Sequence, residues 1–125
     1  VNLGLFCSTP MVALSRNVNK KNAMEMLLTG DFISAEKAEE IGLINNAVSK
    51  EKLASKVTEL AEKIASKSTM TVTTGKKAFY AQSEMDLSKA YEYTSKIMTD
   101  NLLKHDAKEG INAFIEKRSP DWKDK

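Results

Sequence analysis

The stretch AMEMLLTGDFISAEKAEEIGLINNAVS, residues 23–49, decides how the rest of the chain is read. Ala23, Met24 and Leu27 recur at helical spacing, and Gly30 follows the run where a left-handed residue can close a helix. Ser34 then opens a second helix, because its hydroxyl can accept from orphan N–H groups and Glu36 favours the first turn. Gly42 closes that helix, and residues 43–48 are the one stretch of the chain that suits a strand, a short one. Local physics therefore predicts a well-capped helical pair with a short extended tail.

Outward from this pair the pattern stays helical. Val12, Leu14 and Val18 extend the first helix towards the N-terminus, with a break near residues 17–22. Ser8-Thr9-Pro10 reads as a turn. Ser49 caps a long helix in which Leu53, Val57, Leu60, Ala61 and Ile64 fall three and four apart. Residues 70–80 are locally mixed. The β-branched run from Thr71 to Thr74 and Gly75 resist helix, but Lys76 to Tyr80 favour it, and helix is the expectation. Asp86 caps a further helix with Leu87, Tyr91, Thr94, Ile97, Met98 and Leu102 on one face; Tyr91 and Tyr93 alternate, so one packs and one points away. Asp106-Ala-Lys-Glu109 reads as a capping box that starts the last helix, whose apolar stripe is Ile111, Phe114 and Ile115. Gly110 inside that helix costs about 1 kcal/mol against Ala, which points to a close packing contact there. The tail from Glu116 is polar apart from Trp122 and leaves the helix near Pro120. The expected class is mostly α, with several apolar stripes left to face another subunit or domain.

Bulk properties narrow the function classes. The chain has 125 residues, 29% of them charged and 42% hydrophobic, as in ordinary globular domains. A net charge of +2 is too small to imply a nucleic-acid partner. Cys7 is the only cysteine, so an intrachain disulfide is impossible and a structural zinc site lacks its usual ligands. No apolar run reaches membrane-spanning length. The chain opens on Val1-Asn2-Leu3-Gly4 rather than on Met, and the expectation is a processed or truncated product whose chemistry lies upstream.

The residues offer little catalytic chemistry of their own. His105, the only histidine, reads as a solvated turn residue, since no nucleophile or metal partner accompanies it. Cys7 reads as a buried or incidental thiol, and Glu39, Glu40, Glu59 and Glu62 as solvated charges. Two features stand above these. Asn19-Lys20-Lys21-Asn22 opens a helix and suits a phosphate, against the plainer reading of a solvated basic turn. Phe114, with Lys117 and Arg118 one turn on, suits a planar group carrying phosphate, against a packed ring with surface charges.

Residues 23–48 carry Ala23, Leu28-Thr29-Gly30, Ile33-Ser34-Ala35, Ala38, Gly42-Leu43-Ile44 and Val48. This resembles the enoyl-CoA hydratase/isomerase (crotonase) family, in which A-x-x-x-x-L-T-G-x-x-I-S-A-x-x-A-x-x-x-G-L-[IV]-x-x-V recurs. Residues 109–118, EGINAFIEKR, resemble the same family's terminal E-G-x-x-A-F-x-E-K-R. The resemblance implies the C-terminal helical portion of a crotonase-like ββα spiral. Residues 1–48 would be the end of that core with its helical pair, and residues 49–125 a helical region that builds trimers or hexamers. It implies an acyl-CoA thioester as substrate, with no separate cofactor and no metal, hydrated or isomerised through an enolate held by an oxyanion hole. None of the family's catalytic residues maps onto this chain, so the chain alone is expected to be inactive. Phe114 and Lys117 match residues that help hold the CoA adenine and phosphate, and Met98 matches one near that site. One departure stands out. Leu3-Gly4-Leu5-Phe6-Cys7-Ser8-Thr9-Pro10 replaces the usual glycine-rich turn and is similar to a mitochondrial branch and its bacterial relatives. That branch lacks some hydratase carboxylates. Mitochondrial matrix and bacterial cytoplasm both fit the composition. The competing reading is a non-catalytic helical oligomerisation or interaction module, which would form a defined oligomer that ignores CoA.

Overall fold

The computed structural model describes all 125 residues, Val1–Lys125, as seven helices and no strand. They are α1 (Pro10–Asn17), α2 (Lys20–Thr29), α3 (Ala35–Glu40), α4 (Lys50–Ala65), α5 (Thr69–Gln82), α6 (Leu87–Leu102) and α7 (His105–Ile115). The chain divides into two compact units, Val1–Lys56 and Val57–Lys125, with the division inside α4. The mostly α class read from the sequence is the class observed, and no helix is long and apolar enough to cross a membrane.

In the first unit the helical pair has the expected grammar. Asn19 caps α2 by accepting from Asn22 N at 3.0 Å, which also places the break where the sequence puts it. Gly30 ends α2 at φ +65°, and the Thr29 hydroxyl donates to Glu25 O at 2.9 Å while accepting from Asp31 N at 3.3 Å. The left-handed φ favours glycine at position 30, and a Cβ there would also make the Val1 side chain, 2.9 Å away at Cγ1, shift. Ser34 caps α3 by accepting from Lys37 N at 3.1 Å. Gly42, at φ +78°, completes a Schellman closure: Leu43 N donates to Ala38 O at 2.8 Å and Gly42 N to Glu39 O at 3.0 Å. Gly42→Ala is expected to destabilise by about 1–2 kcal/mol, because Cβ meets the carbonyl in the left-handed region. A lower urea midpoint at unchanged slope would register it.

The strand expected over residues 43–48 does not form. With no neighbour strand to pair with, the stretch gives its backbone donors to α3 instead. Ile44 N reaches Ala38 O at 3.2 Å, and Ala47 N reaches Glu39 Oε2 at 3.0 Å. Glu39 is exposed, as expected, and its carboxylate also ties down this loop, while Glu40 pairs with Lys37 at 2.9 Å.

In the second unit α5 packs on α6, and α6 on α7. Residues 70–80 are helical, as expected: Ser68 caps α5 from Thr71 N at 3.3 Å, and Ala78 is buried. Asp86 caps α6 from Lys89 N at 3.0 Å. Tyr93 is half-buried and Tyr91 exposed, matching their alternation. Across the chain the buried apolar residues are Val18, Ala23, Ala38, Ala78, Ala90 and Ala113. Small side chains let helix backbones approach closely, whereas the large apolar ones lie outside. The α4 stripe of Leu53, Val57, Leu60 and Ile64 is 46–58% exposed.

Candidate functional site

Helix α7 and the residues after it carry the candidate site. Sequence reading makes Asp106 the cap of α7, but the helix already begins at His105, and Lys104 stands at the cap with no side-chain bond. The carboxylate has a different task. Asp106 is 2% exposed and accepts from Lys123 N at 2.9 Å and Asp124 N at 3.0 Å. Asp106 N in turn donates to Lys125 O at 3.1 Å. His105 Nδ1 lies 3.2 Å from Asp106 Oδ1, so the histidine read as a free turn residue has a partner, although its ring remains half exposed.

The polar tail is thus a strap folded back on the unit. Glu109 accepts from Asp121 N at 2.8 Å and grips Arg118 with both oxygens, at 2.5 and 3.0 Å. Asp124 Oδ1 accepts from Met70 N at 3.1 Å at the start of α5. Trp122 Nε1 donates to Ser66 O at 2.9 Å, and the edge of its ring abuts Gly110: a Cβ there would meet Cη2 at 3.2 Å. This is the close contact that a glycine inside α7 predicts. The strap itself is invisible to periodicity, because backbone N–H donors make most of its bonds.

These bonds set the local electrostatics. Burial pushes the Asp106 carboxyl up, but the Ser68 hydroxyl, the Lys123 N–H, His105 and the Asp124 N–H together hold it well below the usual carboxylate range. Glu109 is held at about 2 by Arg118 and the Asp121 N–H, against burial. Arg118 is raised in return by Glu109 and Glu116. Both carboxyl pKa values are depressed in the folded state. Their stabilisation is therefore complete above the unfolded values and lost as pH falls through the folded ones. For Glu109 that window runs from 4.5 down to about 2. Trp122, the only tryptophan here, is expected to change its fluorescence in that acid window and to stay constant from about pH 6 to 8.

Two grooves flank this region. Phe114, 85% exposed, lines one of about 550 Å³ with Lys67, Val72, Gly110, Ile111 and Trp122. Met98, 66% exposed, lines another of about 580 Å³ between α5 and α6, with Thr74, Gly75, Thr94 and Ile97. Thr71 and Asn101 belong to both, so the two candidates sit in adjoining grooves. Asn101 Oδ1 is buried there without a hydrogen-bond partner, a feature that no sequence pattern singles out. Lys117 lines neither groove. It sits at φ +55° as the left-handed residue of a Schellman closure, with Arg118 N donating to Ala113 O at 3.0 Å and Lys117 N to Phe114 O at 3.3 Å. In the first unit, Asn19 already occupies the Asn22 N–H that a phosphate would use, and Cys7 is exposed rather than buried. No group of three metal-ligating side chains occurs.

The sequence model described as Enoyl-CoA hydratase/isomerase matches residues 1–125. The chain belongs to the enoyl-CoA hydratase/isomerase family. Its two sequence motifs fall on α2–α3 with the Gly42 closure and on α7 with its cap. A rat relative of this hydratase-family chain, Enoyl-CoA hydratase domain-containing protein 3, mitochondrial (Rattus norvegicus), is 53% identical over 122 residues, 98% of this chain and 41% of the relative. The human protein of that name (Homo sapiens) is 50% identical, over 98% of this chain and 40% of its own length. The similarity of the opening turn to a mitochondrial branch agrees with both. Among solved structures, an enoyl-CoA hydratase of Mycobacterium smegmatis superposes with a TM-score of 0.91 at 46% identity, over 97% of this chain and 47% of that one. The human enoyl-CoA hydratase domain-containing protein 3 superposes at 0.88 and 50% identity, over 97% and 48%. The helices are thus the helical portion of a crotonase-like fold. The chain spans about two fifths of the length of these curated relatives.

Proposed function

We propose that the complete protein binds an acyl-CoA thioester and stabilises its enolate during hydration or isomerisation of an enoyl-CoA. This chain would supply the nucleotide end of the site through Phe114, Met98 and Lys117. The observation that carries this reading is Phe114: an 85% exposed ring on the family's terminal motif, lining a groove of about 550 Å³. The thioester is substrate, and no further cofactor enters the proposal. The oxyanion hole would come from residues outside this chain, which is proposed to be inactive by itself. The exposed α4 stripe favours assembly into a trimer or hexamer. Relatives named as mitochondrial favour the matrix, and the mycobacterial neighbour keeps the bacterial cytoplasm as the other compartment.

The test is calorimetric binding of acetyl-CoA to the full-length gene product, with hydration of crotonyl-CoA followed alongside. Phe114→Ala is expected to weaken acetyl-CoA binding about tenfold, which corresponds to 1.4 kcal/mol. Lys117→Gly keeps the left-handed closure while removing the side chain and its charge, so it separates binding from stability: affinity falls while the melting temperature holds or rises. Hydration by the 125-residue chain alone would refute its inactivity. A defined oligomer of the complete protein that ignores CoA would instead support the interaction module.

A further inference from the structure

We infer that the strap, residues 121–125, is a positioning device for the Phe114 groove and that Trp122 is its second aromatic wall. This rests on the reading above that the groove takes the nucleotide end of coenzyme A. Phe114 lies one turn beyond Gly110 on α7, and the edge of the Trp122 ring abuts Gly110, with Cη2 and Cζ3 at 3.2 and 3.4 Å from where a Cβ would be. Both rings line the same cavity, and Lys67 lines it too. Two aromatic side chains lining one cavity, with a cation beside them, suit a planar heteroaromatic ring that bears an anionic group.

Nothing in the tail's own sequence would hold Trp122 there. The position is imposed by bonds on both sides of it: Glu109 takes the N–H of Asp121, and buried Asp106 takes those of Lys123 and Asp124. The indole N–H is tied to Ser66 O, which fixes the ring's rotation as well as its place. Pre-positioning of this kind lowers the ordering cost of binding, so the strap matters to affinity. Asp106 and Glu109 act through it as positioning residues.

The experiment uses the full-length gene product and two probes, acetyl-CoA and S-acetylpantetheine, which lacks the nucleotide. Trp122→Ala is expected to weaken acetyl-CoA binding about tenfold relative to S-acetylpantetheine, and Trp122→Phe to recover most of it. Hydrogen exchange on the unaltered protein supplies a readout that needs no variant. Acetyl-CoA should further protect residues 119–125, and S-acetylpantetheine should not. If Phe114→Ala loses acetyl-CoA affinity while Trp122→Ala keeps it and the strap gains no protection, the inference is overturned and the nucleotide-site reading stands. If both variants bind acetyl-CoA as the unaltered protein does, that reading fails and the inference falls with it.

Discussion

Asp106→Ala is expected to lower the melting temperature by about 5–10 °C. The carboxylate is buried to 2% exposure and accepts two backbone N–H groups from the strap. Removing it leaves those donors without an acceptor in a place that water reaches poorly, and an orphaned buried donor is more costly than an average hydrogen bond is favourable. Residues 121–125 should detach, carrying Trp122 away from Gly110 and Ser66. Thermal melting followed by circular dichroism, with indole fluorescence in parallel, checks both parts. Asp106→Asn, which keeps one acceptor oxygen, should lose less. A melting temperature equal to that of the unaltered chain would mean that the strap contributes no stability.

Ala113→Leu should destabilise by about 1–3 kcal/mol, the usual consequence of forcing extra methylenes into a packed site. Ala113 is 1% exposed on α7, and its carbonyl accepts the Arg118 N–H that closes the helix. A larger side chain has to push α7 off its neighbour or distort that closure. The adjacent Phe114→Ala should move stability by less than about 0.5 kcal/mol in this chain, because the ring is already 85% exposed. Urea unfolding of the pair tests the contrast: one position is structural and the next is free to serve a ligand. Equal losses at both would place Phe114 in the core.

How far the sequence reached depended on the range of the interaction. The sequence by itself determined the helices, because their signals are local. Ser34, Asp86, Gly30 and Gly42 cap or close within four residues of themselves, and each does in the structure what its chemistry predicts. It also determined the family, through residues 23–48 and 109–118, and a close contact at Gly110. The strand expected over residues 43–48 fails, since a short extended stretch forms a strand only where another strand offers partners, and here Ala38 O and the Glu39 carboxylate take its donors.

Only the tertiary structure decided the rest. Asp106 has the local look of a cap, but its partners lie 17 and 18 residues away in a tail with no period. Phe114 and Met98 line adjoining grooves on α5, α6 and α7, whose buried apolar residues are alanines, while Lys117 is diverted into the closure of α7. Capping is written in neighbouring residues and can be read from them. A backbone donor captured by a distant buried carboxylate leaves no mark on composition or spacing, and so appears only when the chain is folded.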